Sequence, residues 1–270
     1  MSVNNLQFLL FNYLYAQNAT DGFYSYTGNR VWYSGRDLNA GPAKDNTLYE
    51  DAEGGLSNGA GIHLFVGRTG KGVKRRALLA FNLSGIPPNA TVSEVSLSLN
   101  MSRTISGAQT VELRRVLADW GEGTTDAADC AFCDEGGRGL ISEVGDMTRA
   151  HSFYSNTFWA NLAGDLESVA SDSQMATNST YPNFYPELNW SGAGVLADVT
   201  GWVASPSSNN GWILIGDEVT TLTSRRFISR DSTINTFGAP KLTVQYHTLT
   251  TSTSSTTLVI LSAELAASRD

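Results

Sequence analysis

The sequence predicts an all-β fold: an antiparallel, jelly-roll-like β-sandwich interrupted by one long loop insertion. Three observations predict it. Short runs alternate apolar and polar residues with the period of two that lays one strand face on a core. Gly, Pro, Asn and Asp punctuate those runs, as turns between strands require. Charged residues make up only 16% of the 270 positions, whereas glycine alone occurs 26 times. That composition leaves too few Glu, Lys and Arg for the wet faces of long surface helices.

Residues 1–44 read as a leader or N-terminal arm. Within it, Leu6 to Tyr15 has the length of a secretion-signal core, and Leu14-Tyr15-Ala16 precedes a candidate cleavage point. A positive n-region is missing, since the first basic residue is Arg30, so an N-terminal strand is the other reading. The sandwich domain spans 45–247. The basic group Lys71, Lys74, Arg75 and Arg76 reads as a turn running into a strand, followed by alternating Leu79, Phe81 and Leu83. After Ile86-Pro-Pro88, Val95, Leu97, Leu99 and Met101 face one way, and Ser96, Ser98 and Asn100 the other. A turn at Ser106-Gly107 leads to Val111 and Leu113. Residues 119–194 form the insertion: an acidic, Gly-rich loop (119–146), then an aromatic one (151–190). Unstructured stretches of that length are uncommon in compact domains unless functional or disordered. Leu196 to Val203 reads as a strand entering a short helical turn. Gly211 to Gly216, Arg226 to Asp231 and Ala239 to Tyr246 read as the closing strands, with Leu242, Val244 and Tyr246 on one face. The Thr/Ser run 248–257 marks a linker, and 248–270 as a whole a linker and tail.

Net charge is −8, and no basic patch of the size nucleic acid requires is present. No run of about 18 apolar residues exists to span a membrane. A Gly-x-Ser-x-Gly elbow and a Walker spacing are both absent.

Four groups of residues are candidates for chemistry. Cys130-Ala-Phe-Cys133 is the only cysteine pair. The acidic flanks Asp129 and Asp134 disfavour a redox thiolate, and the three histidines lack ligand spacing. A local disulfide is the leading reading, with free thiols and a metal site as alternatives. The acidic loop offers Asp119, Glu122, Asp126 and Asp129 as oxygen ligands for a structural Ca²⁺, which accepts irregular cages. Asp45, Glu50, Asp51 and Glu53 form a second acidic candidate. The same carboxylates could serve as a glycosidase pair, though nothing marks one as proton donor. Eight aromatic residues stand in the forty positions 151–190, twice the 10% density of the chain. Tyr154, Trp159, Tyr181, Tyr185 and Trp190 are candidates for stacking on sugar faces; a small second core beneath the loop is the competing reading. Trp120, Trp202 and Trp212 read as core. Arg226 and Arg230, beside Arg225, are candidates to grip the carboxylates of an acidic glycan, against ordinary pairing with Asp217, Glu218 and Asp231.

Several ordered motifs carry a family resemblance. They are Asp45-Asn-Thr-Leu-Tyr49, Ser57-Asn-Gly59, Arg75 to Leu83, Ile86 to Val92, Val111-Glu-Leu113 leading to Trp120-Gly-Glu122, Asp198-Val-Thr200, Asn210-Gly211 and the ending Arg226 to Tyr246. Across 45–247 the chain resembles the DNRLRE-type (disaggregatase-related) β-sandwich family. The resemblance implies a jelly-roll-like sandwich on secreted or cell-surface proteins, in some members a carbohydrate-binding module beside a catalytic domain. It carries over no ligand residue. The chain departs from it at Gly145-Asp-Met-Thr-Arg149, where relatives often read Gly-Asp-Ala-Thr-Trp, and in its Cys pair.

The expected function is a non-catalytic module, secreted or on a cell surface, that binds polysaccharide. The alternative is a structural subunit of an extracellular filament or surface layer, self-associating by strand addition from its N-terminal segment. A polysaccharide-active enzyme ranks third.

Overall fold

Alternation dictates the strands, and the strands close around one apolar interior. A computed structural model describes residues 23–33, 44–127, 132–133, 135–177, 186–233 and 238–251. The chain divides into two units, Thr27–His247 and a second made of Met1–Tyr26 with Thr248–Asp270. The cores and side-chain clusters lie in the first.

Fifteen strands occur among the described residues. The main sheet is built from β1 (Phe23–Tyr33), β2 (Lys44–Tyr49), β4 (His63–Arg68), β5 (Lys74–Ala80), β6 (Thr91–Thr104), β7 (Gln109–Arg115), β11 (Asp172–Ala176), β12 (Glu187–Trp190), β13 (Trp212–Ile215), β14 (Arg225–Ile228) and β15 (Lys241–Thr251). Short strands β3 (Leu56–Ser57), β8 (Leu140–Ile141), β9 (His151–Phe153) and β10 (Thr157–Phe158) form two small ladders, β3 with β8 and β9 with β10.

In the main sheet β2 pairs with β5, β5 with β13, β13 with β7 and β7 with β11. A second layer runs β4, β14, β6, β15, with β12 also on β6. The layers join where Gly67 and Arg68 pair with Arg75 and Lys74. All these pairs are antiparallel. Leu64, Val66, Leu97, Leu99, Met101, Phe227, Leu242 and Val244 from one layer share a core with Ala77, Leu79, Val111, Leu113, Trp212 and Leu214 from the other. The all-β antiparallel expectation holds, and the serine face of β6 and the Leu242–Val244–Tyr246 face of β15 lie as predicted.

Two expectations need correction. Residues Ala193–Ala204 are one α-helix, α1, not a strand entering a turn. Val195, Val199, Trp202 and Val203 recur at i, i+4, i+7 and i+8, and all four are buried in the main core. The insertion also contributes to the sandwich itself. β11 and β12 complete the two layers, and described parts of the acidic and aromatic loops pad the outside of the β2–β5–β13 layer. There Val116, Trp120, Met147 and Trp159 pack on Leu48, Leu78, Ala80 and Ile213 as a second core. β5 is therefore apolar on both faces, and Ala77 to Ala80 are all buried.

Candidate functional site

The outward face of β4–β14–β6 bears an open concave space. Leu64, Val66, Met101 and Phe227 turn inward, so His63, Phe65, Arg226 and Ile228 alternate to the other side. Arg226 is registered opposite both Phe65 and Arg103. A turn at 135–139 rims this face, tied down by Tyr49 Oη donating to Gly136 O at 2.8 Å and Arg75 Nε donating to Gly137 O at 3.1 Å. Between rim and sheet lies an open trough of about 500 Å³, lined chiefly by Phe65, Arg103, Ile105, Glu135, Ser224 and Arg226.

The trough is cationic. Arg226 donates to Ser102 Oγ at 2.8 Å and pairs with Glu135. Arg103 also reaches Glu135, at 3.7 Å, and its side chain is 68% exposed. Two guanidinium groups thus share one carboxylate. Burial, with the like charge of Arg103, lowers the Arg226 guanidinium to about 10. Burial, with the charge of Arg226, lowers His63 to about 4, so its ring is neutral beneath the trough. Arg225, next in sequence, turns inward and donates to the carbonyls of Thr223 and Ala176 at 3.0 Å each.

A second cluster gathers residues far apart in sequence. Asp45 on β2, Glu122 in the loop after Trp120, and Asp231 after β14 each offer a carboxylate oxygen within 4.8 Å of the others. Asp45 Oδ2 accepts the backbone N–H of Arg230 at 2.8 Å, and Glu122 Oε1 accepts that of Asp45 at 2.8 Å. Arg230 Nε lies 2.6 Å from Glu122 Oε1 and 3.3 Å from Asp231 Oδ2. Asp45 Oδ1 is sealed from solvent, with no hydrogen-bond partner among the described residues. Burial raises the Asp45 carboxyl well above its ordinary value. Burial, reinforced by Asp231 and opposed by Arg230, pushes Glu122 up to about 7. Buried amides lock this corner. Asn46 Nδ2 donates to Glu122 O at 2.7 Å, and Asn58 Oδ1 accepts the N–H of Ala127 at 2.8 Å. A Cβ at Gly59 would sit 1.8 Å from Glu122 O, so only glycine allows the loop to approach.

The predicted site residues scatter. Trp159 and Trp190 are corrected from stacking platforms to core: they are 6% and 0% exposed, and their indole N–H groups donate to Thr148 O and Val111 O. Tyr154 is half-buried, with its ring 5.1 Å from that of His151; Phe158, 66% exposed, lies 4.2 Å from the same ring. Tyr181 and Tyr185 lie outside the described residues. Of the four proposed metal ligands, Asp119 is exposed and bound to Lys44 at 2.6 Å, and Asp126 is half-buried. Asp129 lies outside the described residues, and Glu122 joins Asp45 and Asp231 instead. Asp146, also in the acidic loop, is a backbone clamp that accepts the N–H groups of Thr124 and Glu143 at 2.8 Å each. Of the Cys pair, Cys133 is buried, and Cys130 lies outside the described residues. Sequence reasoning did not pick out Arg103 or Asp231 as site members. A signal existed for Asp231, which stands in the motif Arg226 to Tyr246, just as Asp45 and Glu122 stand in two others.

No family model matches the chain, and no curated protein matches it.

Proposed function

We propose that this protein is a non-catalytic module, secreted or displayed at a cell surface, that binds polysaccharide, with acidic sugar units seated in the trough on β4–β14–β6. One observation carries the reading: in a chain of net charge −8, two guanidinium groups, Arg103 and Arg226, line an open trough and share a single carboxylate, Glu135. A sugar carboxylate supplies the missing negative charge and matches guanidinium geometry bidentately. The exposed side chain of Ile105 and the hydroxyl of Ser224 offer apolar and hydrogen-bonding contact to a sugar ring. The resemblance to DNRLRE-type sandwiches agrees with this reading.

The test is affinity electrophoresis and calorimetry against alginate, polygalacturonate and neutral chitin. The acidic polymers bind, and added NaCl weakens them because the contacts are charge-based. Arg103→Ala and Arg226→Ala each weaken binding by about 10-fold, the loss of one charge-assisted contact. Failure of the wild-type chain to bind any acidic polysaccharide overturns the reading, and so does unchanged binding by both variants.

A further inference from the structure

Three carboxylates from three separate segments meet at one corner of the sandwich, and among the described residues one guanidinium, that of Arg230, pairs with them. Asp45, Glu122 and Asp231 carry three negative charges when ionised, and Arg230 balances one, leaving two. Asp45 is 1% exposed, and its Oδ1 is without a donor among the described residues. A buried carboxylate oxygen is costly unless a donor or a cation satisfies it. From this juxtaposition we infer that Asp45, Glu122 and Asp231 hold one divalent cation, and that the cation is calcium.

The donor set selects the ion. All three ligands are carboxylate oxygens, with no His or Cys among them, which favours hard cations over zinc or copper. The oxygens are also partly committed. Glu122 Oε1 already accepts the N–H of Asp45 at 2.8 Å, and Asp45 Oδ2 accepts that of Arg230 at 2.8 Å. An irregular, shared shell of this kind suits calcium, whereas magnesium demands a near-ideal octahedron. The position gives the ion a task. It joins the start of β2, the loop that follows Trp120 and the segment that follows β14. Gly59 and Asn46 already hold the loop carbonyl of Glu122 against the sandwich at that point. The calcium is therefore a fastener between segments distant in sequence. The inference does not rest on the polysaccharide reading.

The experiment uses the full chain stripped with EDTA and titrated with CaCl₂, read by calorimetry and by thermal denaturation. One calcium per chain is expected, with an affinity of roughly 10⁻⁴–10⁻³ M, as for extracellular calcium modules. The denaturation midpoint rises with calcium and saturates. Asp231→Asn and Glu122→Gln each weaken calcium binding by at least about 10-fold, while Asp119→Asn leaves it unchanged. Asp231→Asn is the principal variant, because Asp231 is half-buried, whereas Asp45→Asn alters a fully buried group. Absence of saturable binding overturns the inference. It is equally overturned if Asp231→Asn and Glu122→Gln both bind as wild type does, or if magnesium gives the same midpoint rise at the same concentration. A fourth outcome also overturns it: Asp45→Asn stabilises the stripped protein, and calcium leaves the wild type unmoved. The centre would then hold a shared proton.

Discussion

His63 shows how one buried side chain sets a pH response. Its ring is 6% exposed, 6.4 Å from that of Phe65, with Nδ1 3.4 Å from Glu135 O. Burial, then the charge of Arg226, lowers it from 6.5 to about 4. Between those values the unfolded chain binds a proton that the native one refuses. Stability is therefore complete above the unfolded value and is lost as pH falls through the window toward the folded one. Between about pH 7 and about pH 5 the Glu122 carboxyl, raised to about 7, acts with the opposite sign, so the His63 contribution is read by difference: on going to the acid end, the urea midpoint of His63→Gln should fall less, or rise more, than that of wild type. At this scale the sequence was legible in part. Trp120, Trp202 and Trp212 stood in strand-like patterns and are core. Trp159 and Trp190 were misread, because a high density of rings looks the same whether the rings line a surface or fill a second core. The Asp45–Glu122–Asp231 cluster left no local spacing to read, since its members meet only through strand pairing.

Helix α1 is the element whose period was hidden. Val195, Val199, Thr200 and Val203 are β-branched and suggest a strand, and Gly194 and Gly201 lower helix propensity. Tertiary burial outweighs both. Val195, Val199, Trp202 and Val203 form a stripe on the core, and Asp198 fastens the helix from its buried side. Its Oδ2 accepts Ser171 Oγ at 2.5 Å and Trp212 Nε1 at 2.8 Å. Asp198→Ala strands both donors in a dry site and should cost about 2 kcal/mol in chemical denaturation. Strands β6 and β15 were legible for the opposite reason: one face is core and the other polar, so alternation survives. β5 was legible as a strand through Leu79 and Phe81, but its second covered face was not, because a strand buried on both sides has no polar face to mark it.

For the molecule as a whole, the insertion is structure and not ornament. Trp120, Met147 and Trp159 of the insertion, with Val116 just before it, contribute to the second core, and its strands β11 and β12 join the main sheet. Trp159→Ala empties a large buried volume and should cost about 3–5 kcal/mol, read as a lower thermal midpoint. Its retention of acidic polysaccharide, measured well below that midpoint, should match wild type, because Trp159 lies in the padding and not in the trough. The sequence signalled the insertion's length but not its covering role, which depends on Leu78, Ala80 and Ile213 presenting a second apolar face.

Upholstering one layer has a practical result: the molecule has a front and a back. Anchoring through the padded layer, for instance at the exposed position Leu162 beside Leu48 and Arg76, would keep the guanidinium furrow facing the bulk solution. Anchoring beside Ile105 would press that furrow against its support. Sensor-chip formats that differ only in attachment point would then disagree about whether this chain binds anything at all.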